Sequence, residues 1–346
     1  MVLTEKKADA NNKHTDKKGN SMNKQSLAIG VDVGGTSIKC ALINDTGEIV
    51  SIKRSHTEAE KGRERMLDNI KAAVNDIMVN NNLLIKDIAG IGVGTPGLLV
   101  DGTVDGNPNL PAWNGTPIVT EMHKRFDVPC FAANDVTLAT FAECIYGAGV
   151  GAKNLVMFAI GTGIGGGVII NGELYEGSNG MAGELGHITV EPEGRVCGRG
   201  QRGCLEAYSS SIAINAMTRE FLSSMRGKDS LIFKAVSGDL TKITPKIVYD
   251  CAKEGDETGL KVNEIVCKYL AVAVGSIINI FNPDTVILGG GVLEAGEIIL
   301  ENIRKKLPLY THAMMLTRCR ILNAKLGENA GVTGCGALVF RKHGKV

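Results

Sequence analysis

The stretch AIGVDVGGTSIKCALIN (28–44) places two apolar runs on either side of a turn of small residues, and MFAIGTGIGGGVIINGEL (157–174) repeats this arrangement. Gly34 of the first stretch corresponds to Gly163 of the second. The second stretch contains Asn-Gly at 171–172, the dipeptide most typical of a tight β-hairpin turn. The repeat therefore predicts two related α/β domains that each begin with a β-hairpin.

The rest of the chain alternates strand-like and helix-like patterns. Apolar residues recur at intervals of three and four from Met66 to Met78, as on one face of a helix. Buried strands are predicted at IAGIGVGTPG (88–97) and TVILGGG (285–291). A long helix is predicted at residues 258–281. This alternation predicts fold class α/β.

Length and charge limit the kind of protein. A chain of 346 residues exceeds the size at which one core usually stops growing, so two domains are expected. The net charge of +1 gives no electrostatic basis for a nucleic-acid or membrane surface, and we expect neither partner. The longest apolar stretch, residues 269–281, is too short to span a bilayer.

Cysteine use and the N-terminal residues indicate the compartment. The chain has nine cysteines, and several lie inside apolar runs, which indicates buried, reduced thiols. No secretory signal is recognisable, so we expect a cytoplasmic protein. Residues 1–25 are polar and lysine-rich, which predicts a disordered tail.

Two glycine-rich turns have the composition of phosphate-binding loops. GTGIGGG (161–167) satisfies G-x-G-x-x-G, but a strand-like run follows it, where a dinucleotide-binding fold needs a helix. Two hairpin turns can instead offer backbone N–H groups and hydroxyls to phosphate oxygens, and Asp32, before the first turn, could hold Mg²⁺ through water. The alternative at either turn is a glycine-rich bend without a ligand. The residues concerned are Gly34, Gly35 and Thr36 in the first turn and Thr162 and Gly163 in the second.

Four motifs follow one another along the chain: VDVGGTSIKCALI, AIGTGIGGG, then GELGH with C-G-x-G-Q-R-G-C-L-E (197–206), and ILGGGV (287–292). In this order the chain resembles the ROK family of sugar kinases and repressors over residues 26–341. The resemblance implies the actin-like ATPase (ribonuclease H-like) fold, with a cleft between two similar α/β domains. The implied division is an N-terminal domain of residues 26–134 plus 326–346, and a larger domain of residues 135–325 with a sugar-binding loop at 183–209.

Asp135 resembles the family's catalytic base. It ends the strand-like FDVPCFAAND (126–135), and phosphoryl transfer needs a base for the attacking hydroxyl besides positioning and charge neutralisation. An Asn-Asp pair before a helix is also typical of an N-cap, and both roles can hold together. The resemblance implies that the substrate-binding residues are Gly97, Asn109, Asn134, Asp135, Glu184, His187 and Glu206. It implies that ATP is bound by Asp32, Gly34, Gly35, Thr36, Lys39, Thr162, Gly163, Gly290 and Gly291.

The sugar loop also resembles a zinc site that lacks one ligand. In the family, a histidine and three cysteines hold a structural Zn²⁺. Here His187, Cys197 and Cys204 match, but Arg199 replaces the middle cysteine. Structural zinc is almost always four-coordinate, so the set is incomplete. A water or a distant cysteine could complete it; the alternative is a loop held by its own glycines and hydrogen bonds, with two free thiols.

The resemblance implies an ATP-dependent hexose kinase that uses Mg²⁺ and phosphorylates the sugar 6-hydroxyl. CLEAYSS (204–210) and NLPAW (109–113) most resemble the glucokinase branch, which favours glucose over N-acetylglucosamine, N-acetylmannosamine, fructose and mannose. A sugar-sensing regulator is a further alternative, but the 25 polar residues before the first motif are too few for a DNA-binding domain. A polyphosphate-dependent kinase would need a basic track, and none is evident. Relatives also suggest a homodimer.

Overall fold

The computed structural model describes residues 26–107, 110–223 and 229–346. The tail at 1–25 and Asn109, a predicted sugar contact, lie outside these ranges. The strands are β1 Leu27–Val33, β2 Ser37–Asn44, β3 Ile49–His56, β4 Ile91–Thr95, β5 Leu98–Val100, β6 Thr103–Asp105, β7 Thr116–Pro117, β8 Cys130–Asn134, β9 Leu155–Ile160, β10 Ile164–Ile170, β11 Glu173–Leu174, β12 Thr285–Gly289 and β13 Arg320–Asn323. The helices are α1 Arg63–Asn80, α2 Ile118–Phe126, α3 Asp135–Tyr146, α4 Glu206–Ser209, α5 Ser211–Leu222, α6 Leu231–Ala235, α7 Pro245–Lys253, α8 Glu257–Phe281, α9 Glu297–Lys306, α10 Ala313–Leu316 and α11 Ala330–Lys342.

Two five-stranded sheets share one topology. The strand order is β3-β2-β1-β4-β8 in the first sheet and β11-β10-β9-β12-β13 in the second. In each sheet the first three strands pair antiparallel, and the last two add in parallel. The duplication predicted from residues 28–44 and 157–174 is therefore confirmed, and so is the α/β class.

The predicted hairpin turn joins β10 to β11. Asn171 and Gly172 have φ values of 54° and 82°. A two-residue hairpin loop of this type needs positive φ at both central positions, which Asn and Gly adopt at low cost. The dipeptide thus fixes the register of this hairpin.

Helix α1 covers one face of the first sheet. All seven apolar residues of the predicted stripe, from Met66 to Met78, are buried. They join one hydrophobic cluster with strand residues such as Val31 and Val93. Burying a side chain of this size contributes roughly 1.5–3 kcal/mol, so the stripe is sufficient to fix the helix on the sheet.

Helix α11 covers the opposite face of the first sheet and packs against α3. Side chains alternate between the two faces of a strand, so Ala28 contacts the α11 cluster while Ile29 belongs to the α1 cluster. A Cβ at Gly334 would lie 1.9 Å from the Leu138 carbonyl oxygen of α3. Only glycine allows this close packing of the chain's last helix against the helix that begins at Asp135.

Helix α8 runs through the core built on the second sheet. Its 25 residues confirm the predicted long helix and, by length and composition alone, would suffice to cross a membrane. The apolar stretch 269–281 was thus only part of a longer helix. Val266, Leu270 and Val274 are fully buried in the main cluster of this core, as in the central helix of a globular protein.

The sequence patterns did not predict every element. Strands β5, β6 and β7 form a small antiparallel sheet that follows β4. These strands are two or three residues long, too short for an alternating pattern to be recognised. The sheet matters because β5 begins directly after Gly97, a predicted site residue.

Candidate active site

A cleft of about 960 Å³ opens where elements of both sheets meet. Its lining includes the chain after β4, the junction of β8 and α3, the β9–β10 turn and the loop that precedes α4. Six predicted sugar-binding residues and three predicted ATP-binding residues line it: Gly97, Asn134, Asp135, Glu184, His187, Glu206, Thr162, Gly163 and Gly290. Gly97 and Gly290, which are 193 positions apart in the chain, thereby line one space.

The other predicted ATP-binding residues lie outside the lining of this cleft. Gly291 lines a smaller cavity of about 100 Å³ next to Gly290, together with Tyr249, whose buried hydroxyl has no hydrogen-bond partner among the described residues. Asp32, Gly34, Gly35, Thr36 and Lys39 belong to the β1–β2 hairpin. The structure thus brings the sugar residues together with the second glycine turn, whereas the first turn is not part of this lining.

Asp135 occupies the first position of α3, and its neighbour Asn134 caps the helix. Asn134 Oδ1 accepts hydrogen bonds from the backbone N–H groups of Val136 at 3.0 Å and Thr137 at 3.1 Å. Asn134 Nδ2 donates to the carbonyl oxygen of Gly97 at 3.1 Å. The N-cap considered for the Asn-Asp pair is therefore Asn134, which also ties the β4 loop to the start of α3.

The Asp135 carboxylate faces the cleft in a poorly solvated position. Its Oδ1 accepts a hydrogen bond from the N–H of Val136 at 2.8 Å. Burial raises the pKa of Asp135, and the negative charge of Glu184 adds to the increase. A carboxylate with a raised pKa is a stronger base, which suits proton transfer near neutral pH.

Asp32 is the second carboxylate with an unusual proton affinity. Burial, then the charge of Asp135, raise its pKa from 3.8 to about 6, while the ammonium of Lys39 opposes the shift. Two neighbouring carboxylates repel each other when both are ionised, and a bound cation would offset this repulsion. The residues present therefore fit the predicted role of Asp32 toward Mg²⁺.

The first glycine turn is open to solvent. Gly35 and Thr36 are exposed, while Gly34 is fixed by its N–H to the Ser37 carbonyl oxygen at 2.9 Å and by the Thr57 hydroxyl on its own carbonyl oxygen at 2.7 Å. Lys39 donates to the backbone carbonyl of Glu328, at the start of the segment that leads into α11. Gly35 and Thr36 are thus accessible, while hydrogen bonds hold the backbone of Gly34 beside them.

The second glycine turn contacts the sugar loop directly. Glu206, at the start of α4, accepts a hydrogen bond from the Ile164 N–H at 3.0 Å. A Cβ at position 163 would lie 2.4 Å from Glu206 Oε2, so a larger residue at Gly163 would displace this carboxylate. Glu206, a predicted sugar-binding residue, therefore contacts the backbone of the second glycine turn, which is predicted to bind phosphate.

The incomplete zinc set is gathered at the edge of the cleft. The ligand atoms of His187, Cys197 and Cys204 all lie within 4.8 Å of one another. His187 Nδ1 lies 3.8 Å from Cys197 Sγ, and burial raises the pKa of the Cys204 thiol to about 11. These three donors do not form the closed four-ligand set of a structural zinc site.

The Arg199 side chain lines the cleft and pairs there with Glu184. Its Nη2 atom lies 3.0 Å from Glu184 Oε2, and His187 Nε2 lies 3.8 Å from the same oxygen. The position that interrupts the cysteine pattern is thus in contact with a predicted sugar residue. This contact was not predicted, although the interruption itself was visible in the sequence.

Comparison with known proteins agrees with this architecture. A glucokinase of Thermotoga maritima is 35% identical over 318 residues, which are 91% of this chain and 98% of that protein. A xylose repressor of Caldicellulosiruptor bescii is 29% identical over 90% of this chain and 77% of its own length.

Among solved structures, a ROK family glucokinase from Streptomyces griseus, in complex with glucose and AMPPNP, superposes with a TM-score of 0.77. It is 30% identical and covers 90% of this chain and 99% of its own. The predicted actin-like fold is confirmed by this likeness together with the duplicated sheets. Since the ROK family profile also matches residues 28–342, the chain belongs to the ROK family.

Proposed function

We propose that this protein is an ATP-dependent glucokinase, which transfers the γ-phosphoryl group of ATP to the 6-hydroxyl of glucose. The observation that carries the proposal is the position of Asp135, a carboxylate of raised pKa in a cleft shared with Glu184, His187 and Glu206. Relatives named glucokinase, at 35% and 34% identity over at least 90% of this chain, support the choice of sugar.

The reaction assigns one task to each group of residues. Glu184, His187 and Glu206 hold the sugar by hydrogen bonds to its ring hydroxyls, and Asn134 positions Asp135 through its cap of α3. Asp135 accepts the proton of the 6-hydroxyl as that oxygen bonds to the γ-phosphorus and the bond to the β–γ bridging oxygen breaks. ADP leaves with that bridging oxygen.

The two glycine turns bind the phosphates of ATP in this proposal. Gly35 and Thr36, next to half-buried Gly34, offer exposed groups on one side, and Thr162, next to half-buried Gly163, offers them on the other. Asp32 would hold Mg²⁺ through water, and that ion supplies charge neutralisation for the phosphates. The adenosine end extends toward Gly290, which lines the cleft, and Gly291, which lines the smaller cavity.

We infer that the cleft closes by relative movement of residues 26–134 plus 326–346 and residues 135–325. The separate hydrophobic clusters of the two sheets support this division. Closure would exclude water, which otherwise competes with the sugar hydroxyl for the phosphoryl group. A cytoplasmic location agrees with nine unpaired, buried cysteines, and the homodimer that the family resemblance implies is part of the proposal.

The test is sugar-dependent ADP release with Mg²⁺ against glucose, fructose, mannose, N-acetylglucosamine and N-acetylmannosamine. Glucose should give the highest kcat/KM. Asp135→Asn should lower kcat by roughly 10²- to 10⁴-fold while calorimetry still detects glucose binding. Asp76→Asn, an exposed carboxylate on α1, is the matched control and should leave kcat unchanged.

Other outcomes would contradict parts of this proposal. Turnover of an acetamido sugar alone would reassign the substrate and keep the mechanism. Full activity of Asp135→Asn would exclude Asp135 as the base. Glucose binding without turnover of any sugar would favour a regulator, such as the xylose repressor relative is named to be.

A further inference from the structure

The loop that carries the incomplete zinc set is held together by its own backbone. Cys197 N donates to the Gln201 carbonyl oxygen at 2.8 Å, Gly203 N to that of Arg195 at 2.8 Å, and Leu205 N to that of Ile188 at 2.9 Å. The thiol of Cys204 reaches the side-chain oxygen of Gln201 at 3.7 Å. Hydrogen bonds therefore hold this loop at the edge of the cleft with no metal ligand at position 199.

The side chain at that position makes an ion pair inside the cleft. Arg199 and Glu184 both line the cleft, with an Nη2–Oε2 distance of 3.0 Å. Their side chains remain 54% and 40% exposed. Ion pairs at this exposure contribute little to folding, so this one has little effect on global stability. Its effect is on the direction and charge of the Glu184 carboxylate.

We propose that Arg199 is a positioning residue for sugar recognition, which orients Glu184 in place of the metal brace that a cysteine at this position would complete. The inference rests on the proposed sugar kinase function. With Oε2 held by Arg199, the other oxygen of Glu184 is left to accept a hydrogen bond from a sugar hydroxyl.

The main experiment measures steady-state kinetics of Arg199→Ala, Arg199→Lys and Arg202→Ala. Arg199→Ala should raise the glucose KM about tenfold, as for the loss of one hydrogen bond between charged groups, with kcat and the ATP KM nearly unchanged. Arg199→Lys should recover part of this loss because it keeps the charge. Arg202→Ala is the control, since Arg202 is exposed in the same loop and lies outside the cleft lining.

A double-mutant cycle tests whether Arg199 acts through Glu184. Arg199→Ala should add little to the KM increase caused by Glu184→Gln, because the pair is already broken. Purified wild-type protein treated with a zinc chelator should keep its glucose KM. A glucose KM of Arg199→Ala within about twofold of wild type, additive effects in the cycle, or a chelator effect as large as that of Arg199→Ala would each overturn the proposal.

Calorimetric titration with glucose, without ATP, separates this inference from the proposed function. Wild-type protein that binds glucose more tightly than Arg199→Ala, yet has no kinase activity, would refute the kinase and support the role of Arg199. Active wild-type protein with equal glucose affinity in both forms would support the kinase and refute the role of Arg199.

Discussion

Replacing Asp32 with asparagine should stabilise the protein while impairing its activity. Burial, together with the charge of Asp135, raises the pKa of Asp32 from 3.8 to about 6. The folded protein therefore binds this proton more tightly than the unfolded chain does. The stability that this tighter proton binding gives to the fold is complete below the pKa of the unfolded chain. It is lost as the pH rises through about 6. The difference between the two pKa values corresponds to about 3 kcal/mol, which ionised Asp32 costs the folded state at higher pH.

Urea unfolding without ATP or Mg²⁺ measures this cost. At about pH 8, Asp32→Asn should have a free energy of unfolding up to about 3 kcal/mol above that of wild type, and near pH 4 the difference should almost disappear. Mg·ATP should stabilise wild type more than the variant. Asp76→Asn, whose carboxylate is exposed and pairs with Lys53 at 3.0 Å, is the control and should show no such pH dependence. An Asp32→Asn protein no more stable than wild type at pH 8 would refute the reasoning.

Two further substitutions test contacts that join separate parts of the molecule. Gly163→Ala should lower kcat/KM at least about tenfold, because its Cβ would lie 2.4 Å from Glu206 Oε2; unchanged kinetics would show that the carboxylate can move freely. Glu143→Ala should lower the free energy of unfolding by about 3 kcal/mol or more, since fully buried Glu143 accepts the N–H groups of Ala148, Lys325 and Leu326 at 2.8, 2.8 and 2.6 Å. Glu143→Gln, which keeps one acceptor oxygen, should lose less in the same denaturation experiment.

Periodic patterns predicted the parts of the fold that follow from local geometry. The α1 stripe from Met66 to Met78 was correct at every residue, because a helix of 18 residues repeats its buried face several times. The strands of the small sheet after β4 have only two or three residues each, so they carry no such repeat. Their position depends on pairing with each other, which is a property of the folded chain.

Six of the predicted sugar residues line one cleft, but their contacts with one another were not predicted. The motifs identified Asn134 and Asp135, but two adjacent residues with similar capping preference do not reveal which of them bonds to the N–H of Thr137. The sequence likewise showed that Arg199 interrupts a cysteine pattern, yet the direction of its side chain depends on Glu184, which belongs to a different turn. Such contacts require tertiary structure.

The two hairpins of the duplicated unit have diverged in what supports them. The first is supported from the C-terminal segment, since Lys39 donates to the Glu328 carbonyl, whereas the second is supported from the sugar loop by Glu206 on the N–H of Ile164. One carboxylate therefore contacts the second turn and lines the sugar cleft at the same time. Because Glu206 accepts the Ile164 N–H, a shift of this carboxylate toward a ligand would break or redirect that hydrogen bond. In the second half, Glu206 thus joins the cleft directly to the glycine turn. In the first half, Lys39 instead joins the hairpin to the segment that leads into α11.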